Sequence, residues 1–202
     1  MSIEHSVIPD NQRHEPKGAS TAVVGEVLTS NGDGTTSFQP FPEIEAVSGI
    51  VIQAESLVNQ SPVALDTPIQ VNFGGAKTSP FVDLAADGTV TILQDGYYVF
   101  EVTFRISRNT GVGQCVLFAR TTVDGVSSDT GCFILDDGNF TIPYSSTSEG
   151  NFTTGQVIKV EIYRDSSGSN DGGLFAVSPT LAGWETAPST RITIKRVILE
   201  VS

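Results

Sequence analysis

The chain has 202 residues, enough for one β-sandwich with a sizeable core, and carries 23 acidic residues against 11 basic ones. The resulting net charge of −12 excludes the basic stripe that nucleic-acid binding needs, so we predict no nucleic-acid partner. No segment approaches the ~20 apolar residues that span a bilayer, so we predict no membrane partner. The N-terminus lacks a basic start and an apolar run, which indicates synthesis in a cytoplasm without a signal peptide.

The first 17 residues predict an extended arm. They contain both histidines, two prolines and mixed charges, with too little apolar content to form a core. We expect such an arm to become ordered through what it binds. His5 and His14 have no cysteine beside them and no zinc-like spacing, so we predict neither a metal site nor a cofactor there.

Residues 18–42 predict a small hairpin or a knot of extended chain. A short apolar segment, AVVGEVLTS, leads into the dipeptides Asn31-Gly32 and Asp33-Gly34, which are strong turn signals. Phe38 resumes the apolar pattern after the turn. Further short strands are predicted around residues 48–58, 81–84 and 89–93.

Residues 95–108, DGYYVFEVTFRISR, predict the central strand of the fold. Alternate side chains of a strand point to opposite faces, and here one face is wholly apolar, from Tyr98 to Ile106. The other face mixes Glu101 and Arg105 with apolar neighbours. We therefore expect the apolar face to lie against a second sheet and the mixed face to be either a subunit contact or a surface covered by a loop.

The later strands complete an all-β pattern. Residues 114–123 lead into a tight turn at Asp124-Gly125, residues 156–164 alternate strictly, and residues 190–201 form a closing strand that we expect inside a sheet. No long segment has the period of a helix. This pattern predicts a sandwich of two stacked sheets, most simply a jelly roll.

The two cysteines are too few for a disulfide framework. A two-residue turn at Asp124-Gly125 would pair Cys115 with Ile134 and Leu117 with Cys132. The cysteines would then be diagonal rather than opposite, so a bond would require a bulge. We expect two buried thiols, and whether they are bonded stays open.

No catalytic site is evident from the sequence. Both histidines lie in the arm, and apolar strand contexts raise the pKa of a thiol rather than lower it. The pair Asp136-Asp137 stands beside a glycine, as in a solvated turn. The spacing of the acidic and serine residues in 165–171 resembles a calcium loop, but the segment lacks a glycine at the sixth position and the closing glutamate. We predict a protein that is not an enzyme and holds no metal.

The N-terminal segment resembles that of many tailed-phage virion proteins, which are labelled head fibres, capsid decoration proteins or tail fibres. The runs that carry the resemblance are HEPKGAS at 14–20, GEVL at 25–28 and SNGDGTTSFQ at 30–39. In those proteins this segment joins a distal trimeric domain to the particle. The resemblance implies a virion-attachment arm over residues 1–45 that contacts the major capsid protein or another virion protein. The candidate attachment residues are His14, Pro16, Val23, Val24, Val27, Leu28 and Phe38.

Residues 46–202 resemble the jelly roll shared by tumour necrosis factor and the globular head of the first complement component. The matching stretches are 88–92, 95–104, the hairpin at 120–125, the strand start at 155–158 and the closing strand. Members pack three sandwiches around a threefold axis through outward faces of one sheet, so the resemblance implies a homotrimer. The chain has no heptads and no collagen-like repeat that would trimerise it otherwise. The candidate interface residues are Tyr97, Val99, Val157 and Tyr163.

Together the two resemblances predict a non-enzymatic structural protein of a phage virion, made in the host cytoplasm. It would be a homotrimeric capsid decoration protein, of the head fibre or cement type, on the capsid surface. The alternative is a tail fibre or receptor-binding tip that recognises a host surface glycan or protein. For that alternative Trp184 is the candidate ligand contact, although a lone loop tryptophan also packs readily onto a sandwich.

Overall fold

The structure is a computed structural model that describes residues 22–40, 44–108, 113–136 and 141–201. Both histidines, and with them the attachment candidates His14 and Pro16, lie outside the described residues. The chain divides into two compact units between Glu45 and Ala46, and the last residues from Leu199 group with the first unit. The first described unit is a hairpin and the second is a β-sandwich.

All regular elements of the described residues are β-strands. In chain order they are β1 (Glu26–Ser30), β2 (Thr36–Pro40), β3 (Ile44–Ser56), β4 (Ile69–Gln70), β5 (Lys77–Thr78), β6 (Val82–Leu84), β7 (Val90–Ile92), β8 (Gly96–Arg108), β9 (Cys115–Val123), β10 (Val126–Leu135), β11 (Thr141–Phe152), β12 (Val157–Arg164), β13 (Gly172–Leu174) and β14 (Thr190–Val201).

Two antiparallel sheets make up the sandwich. The seven-stranded sheet has the order β10-β9-β12-β7-β6-β5, with β4 paired to β12. The five-stranded sheet has the order β11-β8-β14-β3, with β13 paired to β8. The predicted all-β sandwich is therefore confirmed, and the closing strand β14 lies inside a sheet as expected. The chain passes from one sheet to the other between β7 and β8, β8 and β9, β10 and β11, and β11 and β12. That this order is a jelly roll stays a prediction.

The core lies between the two sheets and is built on β8. Its even-numbered side chains, from Tyr98 to Ile106, are all buried. The ring of Phe100 meets that of Phe152 on β11 edge to face, at 5.2 Å between centroids. Strand β12 supplies the opposite layer with Ile158, Val160 and Ile162. Both apolar faces predicted from strict alternation are confirmed, because a sandwich buries one face of each sheet.

The prediction of two buried thiols is wrong for Cys132, which is exposed, and correct for Cys115. The tight turn at Asp124-Gly125 forms as predicted, but β10 carries an irregularity between Ser127 and Asp129 that shifts its register by one residue. Since side chains alternate with period two, a shift of one residue moves every later side chain to the other face. Cys132 is therefore opposite Phe118 rather than Leu117, and both thiols are free.

Candidate functional site

The described part of the sandwich holds no metal-binding constellation. No group of three or more His, Cys, Asp or Glu side chains that could hold a metal ion occurs among the described residues. Burial raises the pKa of the Cys115 thiol, against a smaller opposite effect of Arg164 and Arg108. That the protein is not an enzyme stays a prediction. The described residues also contain no helix long and apolar enough to cross a membrane.

The N-terminal hairpin is shaped by its turn. Gly32 and Gly34 have φ of 80° and 87°, a backbone region that favours glycine. The carboxylate of Asp33 accepts hydrogen bonds from the backbone N–H and the hydroxyl of Thr35, which lowers the pKa of Asp33 below its ordinary value. Strands β1 and β2 then pair antiparallel with Leu28 opposite Phe38.

The hairpin presents apolar side chains to solvent. Val24 is fully exposed, Val23 is 67% exposed and Leu28 is 41% exposed. Val27 and Phe38 are half-buried. Two paired strands bury little by themselves, and an isolated hairpin is marginal in water. Of the seven predicted attachment residues, the five that the structure describes lie together on this hairpin and the short segment that precedes it.

A second candidate surface is the outer face of the five-stranded sheet. Tyr97 and Val99 lie there, half-buried, and their register partners on β14 are Val197 and Lys195. The ammonium of Lys195 donates to the carboxylate of Glu101 at 2.6 Å. This face therefore has an apolar end near Tyr97 and a charged pair beside it.

The other two predicted interface residues lie elsewhere. Val157 and Tyr163 belong to β12, in the seven-stranded sheet, and face outward there. The ring of Tyr163 stacks on that of Phe118, with centroids 5.2 Å apart and planes 7° from parallel. The four candidates therefore lie on two sheets, because β8 and β12 belong to opposite layers. Any role of either pair in an interface stays a prediction.

The loop at residues 177–187 carries three large apolar side chains that are exposed: Val177, Leu181 and Trp184. Reciprocal backbone hydrogen bonds of 3.0 and 2.9 Å between Val177 and Ala187 close its base. Beyond that base Leu181 is 65% exposed and Trp184 is 71% exposed. The reading in which Trp184 packs onto the sandwich is therefore wrong.

Beside this loop runs a groove of about 390 Å³ on the outer face of the five-stranded sheet. It lies between β8, the start of β14, Pro143 of β11 and residues 186–188 of the loop. Arg105 of β8 and Arg191 of β14 both line it. The alternation of β8 placed Arg105 on the outer face, but the groove itself joins segments that are distant in sequence, so sequence reasoning missed it.

No protein-family model and no curated protein matches this sequence.

Proposed function

We propose that this chain is a non-enzymatic structural protein of a phage virion: a homotrimer that decorates the capsid and attaches to it through its N-terminal arm. The observation that carries the proposal is the exposed apolar surface of the hairpin, at Val23, Val24 and Leu28. Exposed aliphatic side chains on so small an element stabilise it only when a partner covers them.

The arm would act as an anchor and the sandwich as the projecting body. Ordering a flexible segment costs conformational entropy, and burial of the hairpin's apolar side chains against the major capsid protein or another virion protein would offset that cost. Three arms on one trimer would bind together. Each contact could then be weak while the trimer as a whole stays attached, because the second and third contacts form intramolecularly.

Trimerisation would use an outer face of the sandwich. The end of the five-stranded sheet around Tyr97, Val99 and Val197 offers the aromatic and aliphatic content that subunit interfaces favour. The sedimentation of the purified chain at micromolar concentration tests this part of the proposal separately. A monomer would reject the trimer.

The attachment proposal is tested with particles that lack this protein. Purified chain is added back, and the bound copies per particle are counted for the unchanged chain and for Val24→Asp. Val24 is fully exposed, so the substitution leaves the fold intact but places a charge in the proposed contact. We expect attachment to weaken at least about tenfold.

The matched control is Val126→Asp. Val126 belongs to the sandwich and is 72% exposed. This variant adds the same charge to the sandwich instead of the arm, so we expect its attachment to equal that of the unchanged chain. Equal attachment of Val24→Asp and the unchanged chain would reject the hairpin as the anchor.

A second candidate function is receptor binding at a fibre tip, and the exposure of Trp184 and Leu181 favours it. Large apolar side chains held on a closed loop are suited to contact a host glycan or protein. Imaging of virions by cryo-electron microscopy separates the two functions. Many copies over the capsid would support decoration, whereas a few copies at the tail alone would support receptor binding.

A further inference from the structure

We propose that the groove beside the loop at residues 177–187 binds a saccharide that carries a carboxylate, with Arg105 as the residue that receives the negative charge. This inference stands apart from attachment to the particle, since it concerns the sandwich alone. It rests on one uncompensated cation, on the lining of the groove and on the exposed loop that forms its wall.

Arg105 is an arginine without a counter-charge. Its backbone is held in place: its N–H donates to the carbonyl of Ser189 at 2.9 Å, and its carbonyl accepts from Phe175 at 3.0 Å. Its Nε is buried, and among the described residues no hydrogen bond or ion pair engages this side chain. Partial burial removes water from this guanidinium, and no protein acceptor takes the place of that water. The lost hydration is a cost in the free energy of folding.

The second arginine of the groove is already neutralised. Nη2 and Nε of Arg191 donate to one oxygen of Glu55, at 2.8 and 3.2 Å. None of the described lining residues is acidic. The groove therefore has one net positive charge, in a protein whose net charge is −12.

A carboxylate fits this charge better than a phosphate. The planar guanidinium fork matches both groups, but a phosphate monoester carries about −1.5 to −2 charges at neutral pH and a carboxylate carries one. The single positive charge of Arg105 balances the single negative charge of a carboxylate. A phosphate would bring further negative charge, which would lose its water without a second cation to balance it.

The remainder of the lining fits a sugar ring. Pro143, Ala187 and Pro188 supply apolar walls, and Thr103 and Thr186 supply hydroxyl groups. A pyranose has both apolar C–H faces and hydroxyl edges, which these two kinds of wall complement. The volume of about 390 Å³ lies within the ~300–1,000 Å³ of small-ligand sites. Trp184 lies two residues before Thr186 in the same loop and is exposed.

The site is compatible with the proposed trimer. Arg105 is six residues beyond Val99 on β8, which at the rise of a strand is about 20 Å. A subunit contact centred on Tyr97 and Val99 would therefore leave Arg105 about that far away.

Isothermal titration calorimetry on the full chain tests the proposal. The probes are sialyllactose and an oligogalacturonate, the matched neutral controls are lactose and a galacto-oligosaccharide, and inorganic phosphate is the small-anion control. We expect at least one of the two acidic saccharides to bind. Its neutral counterpart and inorganic phosphate should bind at least about tenfold more weakly. The variant Trp184→Ala should bind the acidic saccharide severalfold more weakly than the unchanged chain.

Arg105→Gln is the deciding variant, and we expect it to weaken binding about 10–100-fold. Arg105→Lys keeps the charge but loses the fork, so its loss should be intermediate. Arg120→Gln is the matched control, because it removes an arginine from the seven-stranded sheet, and its binding should be unchanged. The melting temperatures of all variants verify that they are folded.

Four results would overturn the site. They are the failure of both acidic probes to bind, equal binding of the neutral counterparts, equal binding of inorganic phosphate, and binding that survives Arg105→Gln in a folded variant.

Discussion

In the hairpin of β1 and β2, as in the central strand β8, successive side chains point to opposite faces. The two elements differ in whether their apolar side chains are buried. On β8 the apolar side chains from Tyr98 to Ile106 all lie in the core. On the hairpin Leu28, and before it Val23 and Val24, remain exposed. The difference is the second layer: β8 belongs to a sheet with another sheet packed on it, and the hairpin is a sheet of two strands.

This contrast supports the proposal that the chain combines a stable body, the sandwich, with an adhesive element, the hairpin. Apolar area stabilises the molecule only where it leaves water. On the core faces of the sandwich this happens within the chain, so the apolar residues there serve the fold. In the hairpin the same kinds of residue keep their apolar area in water, which leaves it available for a partner.

The largest expected effect is that of truncating the core. Phe100 is 5% exposed and packs on Phe152, so we expect Phe100→Ala to lower the free energy of unfolding by about 3–5 kcal/mol. Val24→Ala on the hairpin should leave it unchanged, because Val24 is fully exposed. Denaturant unfolding measures both. Similar losses for the two variants would abolish the contrast between body and adhesive element.

A smaller effect is expected from two glycines of the same backbone type. Gly88 has φ of 92°, and a Cβ there would lie 1.9 Å from the carbonyl oxygen of Val71. We expect Gly88→Ala to cost at least about 2 kcal/mol, from the left-handed conformation and from this clash.

Gly32 of the hairpin is the matched control for Gly88. Its φ is 80°, but a Cβ there would meet nothing within 4 Å. Gly32→Ala should strain only the hairpin turn and leave the unfolding of the sandwich unchanged. Equal destabilisation of the sandwich by both variants, in the same denaturant titration, would contradict the division into two units.

The smallest effect concerns two aspartates whose pKa values are lowered by threonines. Asp95 accepts from the N–H and hydroxyl of Thr154, which lies 59 residues further along the chain, whereas Asp33 accepts from nearby Thr35. A lowered pKa in the folded state stabilises the fold above the ordinary value of about 3.8. This contribution disappears as the pH falls through the folded-state pKa.

We therefore expect Asp95→Asn to melt slightly below the unchanged protein at neutral pH, and the difference to vanish well below pH 3.8. Asp33→Asn should leave the melting of the sandwich unchanged at every pH, since its hydrogen bonds lie within the hairpin turn. Thermal melts over a pH series measure both. A difference for Asp95→Asn that grows in acid would refute the assigned direction of the pKa shift.

Much of the fold could be predicted because its strands alternate cleanly. The core faces of β8 and β12 follow from period two alone, and the bounds predicted for the closing strand match those of β14. The turn at Asp124-Gly125 also forms, with φ of 51° and 81° at its two residues. Each of these features depends on residues close together in sequence.

The bulge in β10 could not be predicted from the same pattern. Residues 127–130 are polar. They contain neither a glycine nor an interruption of an apolar-polar alternation, the two sequence signals that would indicate a bulge. Yet one added residue decides that Cys132 faces outward beside Phe118. Pairing register is a property of two strands, and one strand's sequence constrains it weakly when that stretch is polar.

The candidate site shows the same division. The exposed valines of the hairpin and the outward position of Arg105 follow from the local pattern. That Tyr97 and Tyr163 lie on different sheets follows only from the strand order. Outward alternation identifies a face of a strand, but the sheet that the strand joins depends on long-range pairing.

By itself the sequence determined that the protein is all-β, which strands carry core faces, and that its net charge is −12. These are local or compositional properties, set by side-chain period and by the count of charged groups. Only the tertiary structure decided which strands share a sheet, which thiol is exposed, and that Arg105 lines a groove with Pro143 and residues 186–188. Those features require segments far apart in sequence to meet, and the free energy that brings them together comes from the whole core rather than from any one segment.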